Sequence, residues 1–326
     1  MKKFKLISFT ILSLLLFSCE KEDMLWKLPP SAGTEKVERV SMGENYEKVI
    51  FYKLSTGHKE IKNLNDWHIA FNNYSSEMYV RINGGADVQI FNTFDTSFNK
   101  KYNVPPFWDW DNPNGKKDST AVGCWFDTIS RKSLMNVYII DLGKSVMPRY
   151  KKIQFMGASP NNYSIRYANL DNFNEVQIDF KRSLSTNFTY CNLLKNDTSN
   201  FEPDFHEWDF VFTRYRHVYY DLEPITPYYV TGVLTNPTNT LAAKTRKIKF
   251  EDINISNVQQ IMLSVNEDVI GFDWKFYDLN AAKYLVDDKT TYIIKDQEGY
   301  LYKLKFIDFY DENGVKGAPQ FVYSRL

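Results

Sequence analysis

The sequence predicts an all-β fold, mostly antiparallel, on three observations. Apolar and polar residues alternate with a period of two in several short segments, which is the pattern of half-buried antiparallel strands. Glycine-containing turn signals separate such segments at hairpin spacing. Only residues 256–263 have a helical pattern, and that helix would be short. Apolar residues form 43% of the chain and aromatic residues 16%, so we expect a well-packed core.

The strand pattern is clearest in three segments. Residues 78–82, 176–181 and 245–252 each place apolar side chains on one face and polar side chains on the other. The turn signals are Asn83-Gly84-Gly85, Glu298-Gly299 and Asn313-Gly314. Each predicted strand therefore has one face for the core and one face for solvent.

The chain also repeats itself. Val137–Phe155 and Thr291–Phe306 both consist of Tyr-Ile-Ile, a turn-forming stretch and a lysine-containing strand that ends in phenylalanine. Four other blocks recur in the same order: 48–57 with 187–197, 65–71 with 206–212, 79–85 with 229–237, and 121–127 with 269–278. Ordered recurrence predicts a tandem duplication, with length changes confined to loops. We expect two β-units, residues 31–170 and 171–326.

The duplication makes a specific prediction about four tryptophans. Trp67 should be equivalent to Trp208, and Trp125 should be equivalent to Trp274. Matching apolar positions in matching strands should fill matching core sites, so these side chains are expected to be buried.

Residues 1–18 have the features of a lipoprotein signal peptide. A lysine-rich start precedes the apolar run Leu6–Phe17, which is too short to span a bilayer. The run ends in Leu-Leu-Phe-Ser-Cys, which resembles a lipobox and predicts cleavage before Cys19 and acylation of that residue. Several acyl chains would form a durable membrane anchor. The alternative is an ordinary secreted protein with an accidental cysteine at this place.

Residues 19–30 form the predicted tether between the anchor and the fold. Glu20–Asp23 is acidic and resembles the export signal that carries some lipoproteins of Gram-negative bacteria to the cell surface. A solvated tether is equally consistent with these charges. The first interpretation predicts an outer-membrane lipoprotein that faces the outside of the cell.

Composition and motifs argue against several functions. The net charge is zero and no long basic run occurs, so we expect no nucleic-acid partner. Beyond Cys19 only Cys124 and Cys191 remain, without the paired spacing of a zinc site. The four histidines show no metal-ligand spacing. No nucleophile elbow, P-loop or dinucleotide fingerprint is present, so we expect no enzyme activity.

Two aromatic clusters could contact a ligand. Trp108 and Trp110 lie in a proline-rich loop, residues 99–120, that has no counterpart in the second unit. Aromatic side chains on a β scaffold can stack on a flat porphyrin or on a sugar ring, although core packing is the simpler use for them. A second cluster is rich in tyrosine, and there we favour packing. Its members are Tyr215, Tyr219, Tyr220, Tyr228 and Tyr229.

Residues 65–71, 206–215 and 291–326 resemble the HmuY family of β-rich surface lipoproteins, several of which bind haem. Trp208 and Asp209 match the family's Trp-Asp strand, whereas His68 replaces the aspartate in the first unit. The resemblance is strongest over residues 204–326. It implies a β-rich fold at the cell surface that captures a small flat ligand such as haem.

The iron-binding side chains of the characterised family members do not carry over to this chain. They are histidines or methionines between the Trp-Asp strand and the closing strands, an interval that here holds only His217 and Met262. Because haem iron needs an axial donor, these two are the first candidates, and His68 is the next. Without haem, we expect a glycan- or protein-binding surface lipoprotein that uses Trp108 and Trp110.

Overall fold

The computed structural model describes residues 31–74 and 77–326. The predicted signal peptide, the predicted acylation site Cys19 and the whole predicted tether, residues 19–30, lie outside these ranges. Within them the chain forms 22 β-strands, one α-helix of four residues and five short 3-10 helices. The predicted all-β, antiparallel fold is confirmed. None of the helices in the described ranges is long and apolar enough to cross a membrane.

The strands fall into two series of eleven. The first series is β1 (Glu35–Arg39), β2 (Lys48–Tyr52), β3 (Lys59–Asn63), β4 (Ile69–Asn72), β5 (Val80–Ile82), β6 (Gln89–Asn92), β7 (Phe126–Asp127), β8 (Lys132–Ser133), β9 (Val137–Asp141), β10 (Tyr150–Ala158) and β11 (Asn162–Asn169). The second series is β12 (Val176–Lys181), β13 (Phe188–Asn192), β14 (Asp197–Ser199), β15 (Phe210–Tyr219), β16 (Thr226–Thr235), β17 (Leu241–Thr245), β18 (Lys275–Asp278), β19 (Lys283–Val286), β20 (Thr291–Lys295), β21 (Leu301–Tyr310) and β22 (Lys316–Arg325). Helix α1 is Ile255–Val258.

These strands form two lobes with the same strand order. The first lobe contains the sheets β12-β11-β10-β9-β6 and β14-β13-β4-β5, together with the hairpin β7-β8. The second lobe contains β1-β22-β21-β20-β17 and β3-β2-β15-β16, together with β18-β19. Each strand of one series has a counterpart eleven places away in the equivalent position. This correspondence supports the predicted duplication.

The two series exchange their first three strands. Strand β1 pairs with β22, with Glu35 opposite Ser324, and β2 pairs with β15. In return, β12 pairs with β11, and β13 pairs with β4. The contiguous units 31–170 and 171–326 therefore do not coincide with the packed lobes. Alternation in a sequence specifies which face of a strand is buried, but it does not specify the strand's partner.

Each lobe has its own core, and a tryptophan lies in each. Trp125 is 2% exposed and packs against Phe155, with ring centroids 5.3 Å apart. Trp274 is 1% exposed and stacks on Phe306 at 4.0 Å. Phe155 and Phe306 are the phenylalanines that end the two repeated segments. The burial predicted for these two tryptophans is present in both lobes.

Two local predictions differ from the structure. The helix expected over residues 256–263 is confined to α1, and the chain beyond it is irregular. Residues 245–252 are not a strand, because β17 ends at Thr245 and Phe250–Asp252 is a 3-10 helix. Phe250 is nevertheless buried and Ile248 packs against a neighbouring cluster, so an irregular segment reproduces the apolar alternation of a strand.

One buried carboxyl makes the stability of the fold depend on pH. Glu202 is 2% exposed and accepts hydrogen bonds from the side chain of Asn187 at 2.5 Å and from the backbone of Phe188 at 3.1 Å. Burial disfavours the carboxylate and raises its pKa from 4.5 to about 7, although these hydrogen bonds oppose the shift. A folded-state pKa above the unfolded one means that the stabilisation is complete at low pH. It is lost as the pH rises through about 7.

We therefore expect Glu202→Gln to flatten the pH dependence of unfolding. Between about pH 4.5 and about pH 7.5, the wild type should lose roughly 2–3 kcal/mol more stability than the variant. Chemical denaturation followed by circular dichroism at a series of pH values measures this difference. The exposed Glu207, changed to Gln, provides the control. Parallel pH profiles for wild type and Glu202→Gln would contradict the assignment.

Candidate functional site

An open cleft of about 930 Å³ lies between the two lobes. The first lobe contributes turns that contain His68, Asp87 and Lys144, and the second lobe contributes β16 and the hairpin β18-β19. Ligand sites in proteins are commonly clefts of about 300–1,000 Å³ at such domain boundaries. The volume and position make this cleft the candidate binding site.

Tyrosines line the second-lobe side of the cleft. Tyr228 and Tyr229 are neighbours on β16, and they are 61% and 42% exposed. Tyr277 on β18 lies opposite Tyr284 on β19, with ring centroids 5.2 Å apart, and Tyr277 is half exposed. Exposed aromatic rings on paired strands form a rigid apolar wall that still carries hydroxyl groups.

Basic side chains lie beside this aromatic wall. Lys144 is exposed in the turn after β9, and the Nε of Arg214 donates to the carbonyl of Gly85 at 2.7 Å. A side chain at Gly85 would collide with the backbone of Arg214, so the glycine permits this close contact between lobes. Lys275 is buried, donates to the carbonyl oxygen of Thr231, and has its pKa lowered to about 7 by burial. The cleft therefore offers cations next to flat rings.

One end of the cleft is fixed by a polar cluster. Arg216 forms an ion pair with Asp87 at 2.9 Å, and the hydroxyl of Tyr229 contacts both residues. The guanidinium of Arg216 also lies 5.6 Å from the ring of Trp110, whose indole donates to Gln89 at 3.0 Å. These contacts hold Tyr229 in place and leave Tyr228 as the freer of the two neighbours.

His68 lines the cleft but does not present a free nitrogen to it. Its Nδ1 accepts a hydrogen bond from the backbone of Leu193 at 3.2 Å, so the neutral ring carries its proton on Nε2. Burial, together with the charges of Lys151 and Lys195, lowers the pKa of His68 to about 4. The ring is therefore neutral near pH 7, and the lone pair of its Nδ1 is occupied by Leu193. To bind a metal, His68 would have to give up the hydrogen bond that it accepts from Leu193.

The structure places the two first candidates outside the cleft wall. The ring of His217 packs between the rings of Tyr219 and Phe272, with centroid distances of 4.7 and 5.0 Å. Of these three residues, only Phe272 lines the cleft. Met262 is 90% exposed in the irregular chain after α1. The structure thus does not bring His217 and Met262 together at one site.

The two loop tryptophans have different neighbours. Trp108 stacks on Tyr150, with ring centroids 6.1 Å apart and planes 9° from parallel. Trp110 lies beside the end of the cleft, where its ring is 5.6 Å from the guanidinium of Arg216. Of the predicted candidates, His68 lines the cleft and Trp110 lies beside it.

Sequence reasoning missed the tyrosine wall. Tyr228 and Tyr229 were expected to pack in the core, and Tyr277 and Tyr284 carried no recognised pattern. The side chains of consecutive tyrosines on one strand point to opposite faces of the sheet, so one side chain of each pair points away from the core. That alternation was the available signal for Tyr228.

Comparison with known proteins finds a family model that matches part of the second half of the chain. Residues 184–323 match the HmuY protein family. The resemblance predicted from the sequence is thereby confirmed. No curated protein shows a significant match to the chain.

Two solved structures give low-similarity matches. The first is apo PinO from Porphyromonas gingivitis, at 12% identity and a TM-score of 0.36, which covers 90% of this chain and 97% of that chain. The second is the apo HmuY analogue of Tannerella forsythia, at 10% identity and a TM-score of 0.26, with coverage of 91% and 98%. TM-scores of this size do not establish a common fold.

Proposed function

We propose that this chain, whose residues 184–323 match the HmuY family model, captures haem in the cleft between its two lobes. The observation that carries the proposal is the juxtaposition of exposed tyrosine rings with basic side chains in one open cleft. The protein acts by binding.

The chemistry of the cleft suits a flat molecule with carboxylates at its edge. The rings of Tyr228 and Tyr277 offer stacking surfaces for a porphyrin plane. Lys144 and Arg214 offer charges for propionate groups. Tyrosine oxygen is an accepted axial ligand of haem iron, and it is available here without breaking an internal hydrogen bond to the backbone. One of Tyr228 and Tyr277 would supply this oxygen, ahead of His68, and the ring of the other would stack on the porphyrin.

Cell-surface anchoring is part of the same proposal. It is supported by the lipobox-like sequence before Cys19 and by the acidic residues Glu20–Asp23, both outside the described ranges. A lipid anchor would keep the captured ligand at the outer membrane. Incorporation of a fatty-acid analogue, lost in Cys19→Ala, tests this part independently of haem.

Haem titration of the mature chain, followed by its Soret absorption, tests capture. We expect saturable binding by the wild type, and binding at least about tenfold weaker when Tyr228 and Tyr277 are both changed to alanine, because stacking and iron ligation are lost together. Tyr300→Ala removes an exposed tyrosine that does not line the cleft and should leave the affinity unchanged.

Two further variants separate this proposal from the prediction made from sequence. His217→Ala and Met262→Ala should leave the spectrum of the complex unchanged. A complex whose spectrum depends on either residue would place the site elsewhere. Absence of a Soret band in the wild type would reject haem capture and favour a glycan or protein partner at Trp108 and Trp110.

A further inference from the structure

An irregular segment covers the outer face of one sheet of the second lobe. Residues 246–265 follow β17 and cross the sheet β1-β22-β21-β20-β17. Ile253 and Val258 of this segment are each 3% exposed and pack against Ile293 of β20, whereas the next residue, Ile294, belongs to the main core of the lobe. Alternate residues of a strand point to opposite faces, so the segment lies on the side of the sheet away from that core.

The other side of this segment exposes apolar side chains. Met262 is 90% exposed, Val265 is 73% exposed and Ile255 is 45% exposed. Single exposed apolar residues are common, but three within eleven residues of one packed segment are typical of a contact surface. None of the three lines the proposed haem cleft, so that site does not account for their exposure.

The described chain begins at the same end of this sheet. A row of residues paired across the strands joins the segment to the start of the chain, and its members in order are Ser264, Ala242, Ile294, Tyr302, Arg325 and Gly33. Neighbouring strands are about 4.8 Å apart, so the five steps of this row span about 24 Å. Tyr300 lies at this end too, with its ring 5.0 Å from the guanidinium of Arg325.

The length of the predicted tether limits how far this end can lie from a membrane. Ser31 comes twelve positions after Cys19, and an extended chain spans at most about 3.6 Å per residue, so the tether reaches about 43 Å at most. A folded chain of roughly 300 residues is about 50 Å across. An anchored molecule therefore holds this end of the second lobe closer to the membrane than its own width.

We propose that the exposed apolar side chains of residues 255–265 dock on the lipid surface to which the chain is anchored. The inference rests on the lipid anchor of the proposed function and adds the face of the protein that contacts the membrane. Met262 and Val265 enter the lipid layer. Tyr300 and the exposed Lys295 lie at the headgroups, where aromatic and long basic side chains are favoured. Strand β16, which lines the haem cleft, belongs to the other sheet of the lobe, so docking leaves the cleft accessible.

The anchor makes a weak contact sufficient. A short tether gives the docking face an effective concentration of about 1 mM at the membrane, so a dissociation constant of about 0.5 mM keeps it in contact for about two thirds of the time. The same chain without an anchor, at micromolar concentration, should show no measurable binding to vesicles.

Oxidation of methionine by dilute hydrogen peroxide, followed by mass spectrometry, reports which face is covered. The mature chain, residues 19–326, carries Cys124→Ser to remove an exposed thiol and is coupled through Cys19 to a maleimide lipid in vesicles of phosphatidylethanolamine and phosphatidylglycerol. Oxidation of Met262 should be about threefold slower in the coupled chain than in the uncoupled chain. Met147, which is 87% exposed in the first lobe, is the internal control and should be oxidised at the same rate in both.

Charge on the docking face gives an independent test. When Ile255→Glu and Val265→Glu are combined, Met262 should be oxidised equally fast in the coupled and uncoupled chains, because carboxylates oppose entry into lipid. Leu184→Glu, at a position that is 95% exposed in the first lobe, should keep the protection of Met262.

The proposal is overturned if coupling does not slow the oxidation of Met262, if it slows the oxidation of Met147 equally, or if the double glutamate variant keeps the protection. Because the coupling is chemical, these results do not depend on acylation of Cys19 in the cell. Incorporation of the fatty-acid analogue tests that acylation separately, so the anchor and the docking face can fail independently.

Discussion

Replacing Trp274 by alanine is expected to lower the free energy of unfolding by about 3–5 kcal/mol. The side chain is 1% exposed and stacks on Phe306 in the core of the second lobe. Its ring also packs edge-on against Phe309, with ring centroids 5.6 Å apart. Its removal loses the burial of a large ring and leaves a cavity that the surrounding β-sheet cannot close. Urea denaturation followed by circular dichroism measures the loss.

An exposed aromatic residue provides the control for this prediction. Phe107 is 74% exposed, so Phe107→Ala should change the free energy of unfolding by less than about 0.5 kcal/mol. Trp125→Ala should destabilise the first lobe by an amount similar to that of Trp274→Ala, since Trp125 is equally buried. A loss below about 1 kcal/mol for Trp274→Ala would show that this core is not packed as described.

A chain that begins at Leu64 is expected not to fold cooperatively. Such a chain lacks β1–β3, and the second lobe then loses one strand from one sheet and two from the other. The missing residues include Ile50, Phe51, Tyr52 and Leu54, each at most 3% exposed. Burial of each such side chain contributes about 1.5–3 kcal/mol, so the combined loss matches the whole stability of a typical domain, about 5–15 kcal/mol.

A chain that begins at Thr34 tests whether truncation itself is harmful. It keeps every strand and removes only exposed residues of the described part of the chain, so it should melt at the temperature of the mature protein. Thermal unfolding by circular dichroism and the dispersion of amide signals in NMR distinguish the two truncations. Cooperative unfolding of the chain that begins at Leu64, at an unchanged temperature, would show that β1–β3 are dispensable.

Local features of the fold could be predicted because they depend on nearby residues. The repeated Tyr-Ile-Ile segments are β9 and β20, and the predicted turn at Glu298-Gly299 joins β20 to β21. Partner choice could not be predicted, because β1 is complementary in pattern to several strands and its partner lies at the other end of the chain. The strand predicted over residues 245–252 was wrong for a similar reason. Apolar and polar residues can alternate in a segment that does not hydrogen-bond to any neighbouring strand.

The candidate site was less predictable than the fold. Its walls come from segments distant in sequence, and no motif joins Lys144 to Tyr228 or Tyr277. His68 lies in the wall of the cleft, but only the structure shows that the backbone of Leu193 occupies its Nδ1.

The exchange of strands has a consequence for the order in which the protein can be made and folded. The side chain of Arg39 on β1 donates a hydrogen bond to that of Gln320 on β22, which lies 281 residues later. The first strand to be synthesised therefore cannot pair until the last strand has been synthesised. Contacts this distant in sequence slow folding. The second lobe therefore cannot close until its last strand has been synthesised, whereas every strand of the first lobe is present once β14 has been made.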